Sequence, residues 1–252
     1  MGKRPSVQRF FRQKCLTPFA ALLLALVCAA GTAAVCLRPE PVPTDEQLYQ
    51  AAVVDAVTIE PGEVLPLVTI TPESDLATVK DGKVLLVTVN HHPERYLPGE
   101  AITLPDEVWT FTDREIAAWY AENKAGVTDW PLRLKQLVGV PPDGEYTHVS
   151  AMWVAVEDVR RPAYSTDITT ADMPTALPES TPEEYRDWFT GNILWSYFDS
   201  AYPWTRLGYT YDWADNGTEY GLTEFWVAPG TQAEVAYTDT IAEFIDRLEH
   251  AA

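Results

Sequence analysis

The sequence predicts an α+β fold with a mostly antiparallel sheet and three to four packed helices, preceded by an N-terminal hydrophobic signal or anchor helix. Strand patterns rich in β-branched residues come first after the N-terminal region, and helix-start patterns follow in the middle and near the end. Turn signals separate neighbouring strands. The roughly 200 residues after the hydrophobic segment are enough to bury a core without disulfide bonds.

The N-terminal region divides into a basic segment and a hydrophobic segment. Positions 1–14 contain five basic side chains and no acidic one, and positions 15–37 contain no charged side chain. Because about 20 apolar residues span a bilayer, we expect a single-pass anchor at 15–37, with 1–14 in the cytoplasm and the C-terminal part outside. A signal peptide is the alternative, since small residues near 30–34 would suit cleavage and secretion.

The part after Arg38 is strongly acidic. It holds the remaining 12 of the 18 basic side chains and all 37 acidic ones, a net charge of −25. Such a surface repels phosphate backbones, which argues against nucleic-acid binding, and it attracts cations or basic partners. The three cysteines are Cys15, Cys28 and Cys36. The exported part therefore lacks disulfides and thiolate metal sites, which favours a bacterial cell envelope.

Positions 38–48 are predicted to form an extended linker, because three prolines prevent regular packing there. Positions 49–252 are then one exported domain. Strands are predicted where β-branched and aromatic residues alternate between turn signals: at 65–71, 76–90, 96–104, 107–111 and 147–158. The second of these is predicted to be a hairpin, since Asp81-Gly82 is typical of a two-residue turn.

Helices are predicted where a threonine is followed three residues later by glutamate, the capping-box pattern. This pattern begins helices at Thr112, Thr181 and Thr240, and Pro182 strengthens the second of them. A further helix is predicted from Thr128 to a closing glycine at position 139.

The densest aromatic stretch runs from Tyr202 to Trp226. It contains Asn216-Gly217, a pair typical of a type I′ hairpin turn. Such a turn would place alternating aromatic residues on one face of a two-stranded ribbon. The pairs expected on that face are Trp213 with Tyr220, Tyr211 with Leu222, and Tyr209 with Glu224.

Two interpretations of this face remain open. It is either a wall of the hydrophobic core or a concave platform on which a sugar ring stacks. Glu224 distinguishes them, because an unpaired buried carboxylate is costly and needs a partner. If the platform is correct, the ligand-binding residues are Tyr209, Tyr211, Asp212, Trp213, Glu224 and Trp226.

Motifs for common catalytic chemistries are absent from the sequence. There is no phosphate-binding GxxxxGK[ST], no HExxH and no GxSxG. The adjacent His91 and His92 lack metal-ligand spacing and would point to opposite sides of a strand, so no metal site is predicted. Asp212–Glu219 departs from a calcium-binding EF-hand loop. No cofactor is predicted, and calcium held by another geometry is the alternative.

The sequence thus predicts an acidic domain tethered to a bacterial membrane through positions 15–37. Its expected role is that of an extracellular binding or interaction module, for a glycan or for another envelope protein. A hydrolase of extracellular or cell-wall glycans is the alternative, since such enzymes use a pair of carboxylates. No catalytic residue is predicted, because 37 acidic residues offer no preferred pair.

Overall fold

The computed structural model describes residues 42–251. The predicted basic segment, the hydrophobic segment and the first four positions of the linker lie outside the described residues. Within 42–251, no helix has the length and apolar character needed to cross a bilayer.

The α+β class with a mostly antiparallel sheet is confirmed, although the described residues form five α-helices rather than three to four. The helices are α1 (Asp45–Asp55), α2 (Asp113–Asn123), α3 (Trp130–Leu137), α4 (Glu183–Leu194) and α5 (Ile241–Ala251). A π-helical turn, Trp195–Asp199, continues α4. The strands are β1 (Val79–Lys80), β2 (Lys83–Asn90), β3 (Ala101–Thr103), β4 (Val108–Thr112), β5 (His148–Ala155), β6 (Val159–Arg160), β7 (Tyr209–Tyr211), β8 (Tyr220–Thr223), β9 (Phe225–Val227) and β10 (Gln232–Thr240).

The larger sheet has eight strands in the order β3-β10-β5-β2-β4-β9-β6, with β1 also paired to β2. All of its pairs are antiparallel. The strands β7 and β8 form a separate two-stranded sheet. A single residue, Glu224, connects β8 to β9 and thus joins the small sheet to the large one.

The hairpin of β1 and β2 is confirmed. Val79 pairs with Val84 and Lys80 with Lys83, which leaves Asp81-Gly82 as a two-residue turn. Backbone φ is positive at both turn positions, 52° and 75°, as a type I′ turn requires.

The prediction of a strand at 65–71 is wrong. This segment is extended, but it joins no strand ladder. It makes isolated backbone hydrogen bonds instead: the Leu67 N–H donates to the carbonyl of Ala171, and the Ile70 N–H donates to that of Ile168. Pro66 contributes no N–H to a ladder, which disfavours regular pairing here.

The large sheet is buried on both faces. Leu86 and Val87 are neighbours on β2, and they belong to two different clusters of the hydrophobic core. The cluster around Leu86 is closed by Ile70 and Ile168 from irregular segments. The cluster around Val87 is covered by α2, α3 and α5, with Phe244 fully buried. The alternation of side chains along a strand explains this division.

Of the three predicted capping boxes, one is confirmed. The box of Thr240 and Glu243 is confirmed at α5, with bonds of 2.8 and 3.3 Å. At α2, Thr112 is the N-cap residue, but its side chain makes no capping hydrogen bond because its hydroxyl donates to the carbonyl of Leu76. The predicted box is therefore wrong there. At α4 the N-cap is Pro182, so the predicted box is wrong there.

Helix α1 was not predicted. It begins at Asp45, so the predicted linker at 38–48 overlaps its first turn. Its start was visible in the sequence, because Thr44 and Gln47 form a capping box. The three prolines that precede it favoured the linker interpretation instead.

Gly221 lies on β8 where the backbone of β7 approaches closely. A methyl group there would clash with the hydroxyl of Thr210 and the carbonyl of Leu137. We expect Gly221→Ala to lower the free energy of unfolding by about 1–3 kcal/mol, as overpacking usually does. Urea unfolding measures this change.

Gly191 provides a matched control. It lies on α4, and among the described residues nothing stands within 4 Å of the position that a Cβ would occupy. Gly191→Ala should stabilise the protein by about 0.5–1 kcal/mol, because alanine is the better helix former. Equal effects of the two substitutions would contradict the close packing at Gly221.

Candidate binding site

The register predicted for the aromatic hairpin is wrong. The observed pairs are Tyr209 with Thr223 and Tyr211 with Tyr220, with an irregularity between them. Trp213 therefore lies in the connecting loop and does not pair with Tyr220. Backbone φ is positive at Gly217 but not at Asn216, so the turn is not type I′.

Two of the predicted ligand-binding residues lie in the core. The carboxylate of Asp212 is buried and makes a bidentate pair with Arg133, at 2.9 and 2.5 Å. It also holds the loop by accepting hydrogen bonds from the Ala214 N–H and the Asn216 amide. The Trp213 indole donates to the carbonyl of Val140 at 3.0 Å and is buried. Both residues thus stabilise the fold.

Trp226 lies outside the cavity described below. Its indole N–H donates to Glu107 at 2.9 Å. Glu107 also accepts from the indoles of Trp109 and Trp188, at 3.4 and 3.3 Å. The carboxylate therefore joins three tryptophans into one cluster at the edge of the sheet.

The remaining three predicted residues, Tyr209, Tyr211 and Glu224, line one cavity of about 330 Å³. Many of its lining side chains are aromatic. The sheet and the loop after β2 contribute Tyr96, Trp109 and Phe111, the π-helical turn contributes Trp195, and facing loops contribute Tyr146, Tyr202 and Trp204. The ring of Trp195 stacks on Tyr202 at 5.3 Å. A concave aromatic cavity with few polar groups is the usual form of a small-molecule site.

Glu224 is the unusual polar group of this cavity. Its side chain is only 9% exposed, and it has no hydrogen-bond partner among the described residues. Burial alone raises the pKa of its carboxyl to about 8. The group is therefore mainly protonated and neutral at pH 7 in the empty cavity.

The backbone on both sides of Glu224 is fixed. The Glu224 N–H donates to the carbonyl of Gly208 at 2.9 Å. The N–H of Thr223 donates to Glu115 at 2.8 Å, and Phe225 is fully buried. The backbone that carries the carboxyl is consequently fixed at the cavity wall.

Most other polar side chains around the cavity already have partners in the protein. The hydroxyl of Thr110 donates to the carbonyl of Phe225, and that of Thr210 to the carbonyl of Leu137. The amide of Asn90 donates to Ser150. The hydroxyls of Thr88 and Ser196 also line the cavity and make no hydrogen bond among the described residues, so they are open to a ligand together with Glu224.

The loop after β2 brings charged and titratable groups to the exposed part of the cavity lining. Arg95 is paired with Asp106 at 3.2 Å. The rings of His91 and His92 lie 4.1 Å apart, so the expectation that they point to opposite sides is wrong. Both follow the end of β2, where strand alternation no longer applies. Neither belongs to a cluster of three metal-ligating groups among the described residues.

A group of three carboxylates lies beside the small sheet. Asp55, Glu63 and Glu219 offer oxygen atoms within 4.8 Å of one another. Burial, together with the neighbouring carboxylates, raises the pKa of Glu219 to about 7. Oxygen ligands of this type suit calcium. Of the Asp212–Glu219 stretch, which departs from an EF-hand loop, only Glu219 belongs to this group, and Asp212 is paired with Arg133 instead.

Comparison with family models, with curated proteins and with solved structures finds no match to this chain. Function therefore has to be inferred from the cavity and from the charges of the described residues.

Glu224→Gln should change how stability depends on pH. The carboxyl has a raised pKa, so the folded state retains its proton between about pH 5 and 8 while the unfolded chain, with a pKa near 4.5, has lost it. Wild-type stability accordingly falls as pH rises through this window. We expect the variant to gain about 2–3 kcal/mol relative to wild type between about pH 5 and 7.

Urea unfolding at several pH values measures this difference. Other buried carboxyls, such as Glu115, contribute equally to both proteins and cancel. The control is Glu100→Gln, which removes an exposed carboxylate and should not reproduce the gain. A difference between wild type and Glu224→Gln that stays constant with pH would show that Glu224 is not a buried neutral acid.

Proposed function

We propose that residues 49–252 form a binding module that takes a small organic ligand into the aromatic cavity, with Glu224 as its polar anchor. The unpartnered carboxyl carries this proposal. A buried polar group without a partner costs about 1–3 kcal/mol, and most buried polar groups in proteins are satisfied. A ligand that bonds to Glu224 would recover this cost.

The proposed setting is the outer face of a bacterial membrane, with positions 15–37 as anchor or signal peptide. The acidic, cysteine-free composition after Arg38 supports it. A glycan or another envelope protein remains the partner class proposed for the domain surface. Aromatic rings such as Trp195 and Tyr202 support a ring-bearing ligand.

The glycan-hydrolase alternative has less support. It requires a second carboxylate close to Glu224. The other carboxylates that line the cavity are Asp106 and Glu107. The first is paired with Arg95 and the second accepts from three indoles, so neither is free to act as acid, base or nucleophile in its present position.

Trp195→Ala should weaken ligand binding and leave the fold intact. Its side chain is 49% exposed, lines the cavity and stacks on Tyr202. Loss of one aromatic wall should lower affinity about tenfold, or about 1.4 kcal/mol. The matched control is Phe198→Ala, on the same π-helical turn, 76% exposed and not part of the lining.

Binding is first detected as a rise in the melting temperature of the full chain. The panel contains cell-wall sugars, small amines and neutral ring compounds. A ligand at about 100 times its dissociation constant adds about 2.7 kcal/mol and raises the melting temperature by several degrees. A panel without any shift, or equal loss of binding in the two variants, would contradict a ligand site in this cavity.

A further inference from the structure

Resting on the proposed function, we infer that the ligand of the aromatic cavity is a small organic cation, an amine or a quaternary ammonium compound, whose charge binds the carboxylate of Glu224. The cavity combines one buried acidic group, aromatic walls and a lack of free cationic side chains. These three properties together select a positively charged ligand over a neutral or an anionic one.

Two of the tryptophans that line the cavity present ring surfaces rather than free hydrogen-bond donors. The indole N–H of Trp204 is used by the carbonyl of Pro162 at 3.0 Å, and that of Trp109 by Glu107. What these residues offer to the cavity is the face or edge of a ring. Cations are attracted to aromatic faces within about 6 Å, and the attraction is stronger where water is excluded.

No cationic side chain of the described residues neutralises Glu224. No charged neighbour contributes to the shift of its pKa, which burial alone causes. The one arginine in the lining, Arg95, is paired with Asp106. A ligand cation would thus supply the counter-charge that the chain itself does not provide, and the carboxyl would ionise to meet it.

A sugar fits this cavity less well. Its several hydroxyls would be removed from water, and each would need a partner. Thr110, Thr210 and Asn90 already donate to groups of the protein, whereas the lining hydroxyls of Thr88 and Ser196 make no hydrogen bond among the described residues. A cation with an apolar body needs only one carboxylate and the ring faces.

The net charge of the whole domain also favours a cationic ligand. With a net charge of −25 after Arg38, the surface attracts cations and repels anions. This long-range field raises the local concentration of a cationic ligand, and it would be screened as salt is added.

Cation binding should release a proton. The pKa of Glu224 is about 8 in the empty cavity, so its carboxyl is mainly neutral at pH 7. Ionisation on contact with a cation would release about one proton, whereas a neutral ligand would release none. The other titratable side chains of the lining are His91, His92, Arg95, Asp106, Glu107 and the tyrosines. Comparison with Glu224→Gln separates the contribution of Glu224 from theirs.

The test is calorimetric titration of the full chain in a non-ionic detergent at pH 7. The probes are two matched pairs that differ in charge: choline against 3,3-dimethyl-1-butanol, and benzylammonium against benzyl alcohol. Glucose and N-acetylglucosamine represent sugars. Each titration is repeated in two buffers with different ionisation enthalpies, so that proton release is measured directly.

We expect at least one cation to bind more tightly than its neutral partner and to release about one proton per site. Glu224→Gln should weaken the cation at least about 30-fold and abolish the proton release, because it removes a desolvated charge partner. Trp195→Ala should weaken the same cation with the proton release retained. Circular dichroism verifies that both variants are folded.

Two other outcomes are distinguishable. If neutral compounds or sugars bind as tightly as the cations, without proton release, the cation inference is overturned while the proposed binding function stands. If no probe of any class binds, the proposed function fails together with the inference.

Discussion

The buried guanidinium of Arg161 is the interaction on which the arrangement of the candidate site depends. It donates to the carbonyls of Val68 in the extended segment and of Asp167 and Thr170 in the loop after β6, at 2.7–2.9 Å. A buried charge without such partners would cost several kcal/mol, so the extended segment and the loop after β6 are held where their carbonyls surround the cation. The guanidinium also lies over the ring of Phe225, at 5.1 Å. This fixes the residue that directly follows Glu224.

A second buried group fixes the residue before Glu224. Glu115 accepts the N–H of Thr223, and burial raises the pKa of its carboxyl to about 7. Arg161 and Glu115 thus each bond to neighbouring chain segments, although Glu115 Oε2 and Arg161 Nη1 have no partner among the described residues, while the Glu224 side chain makes no hydrogen bond to a described residue. Because the flanking backbone is held by these bonds, the point from which the Glu224 side chain enters the cavity is set before any ligand arrives. Such preorganisation reduces the entropy that binding has to offset.

Sequence patterns predicted local structure well wherever no distant group competed for the same atoms. The Asp81-Gly82 turn is confirmed because its geometry depends on two backbone positions alone. The type I′ turn predicted at Asn216-Gly217 is not formed. Asp212 pairs with Arg133 of α3, which is distant in sequence, and it accepts hydrogen bonds from Ala214 and Asn216, so the loop takes another conformation. The cavity could not be predicted, since its walls come from separate loops. Glu224 alone could be singled out from the sequence, because the predicted aromatic face of the hairpin placed a carboxylate there without an evident partner.

The distribution of basic side chains explains why no cation of the protein pairs with Glu224. The part of the chain after Arg38 has only 12 basic side chains, and buried ones among them stabilise the fold. Arg161 and Arg206 satisfy backbone carbonyls, and Arg133 neutralises Asp212. Moving any of them to Glu224 would leave other buried groups unsatisfied, at a cost of about 1–3 kcal/mol for each group. A cation that enters from outside meets the carboxylate without disturbing these contacts, so the acidic composition and the packed core both favour an external partner.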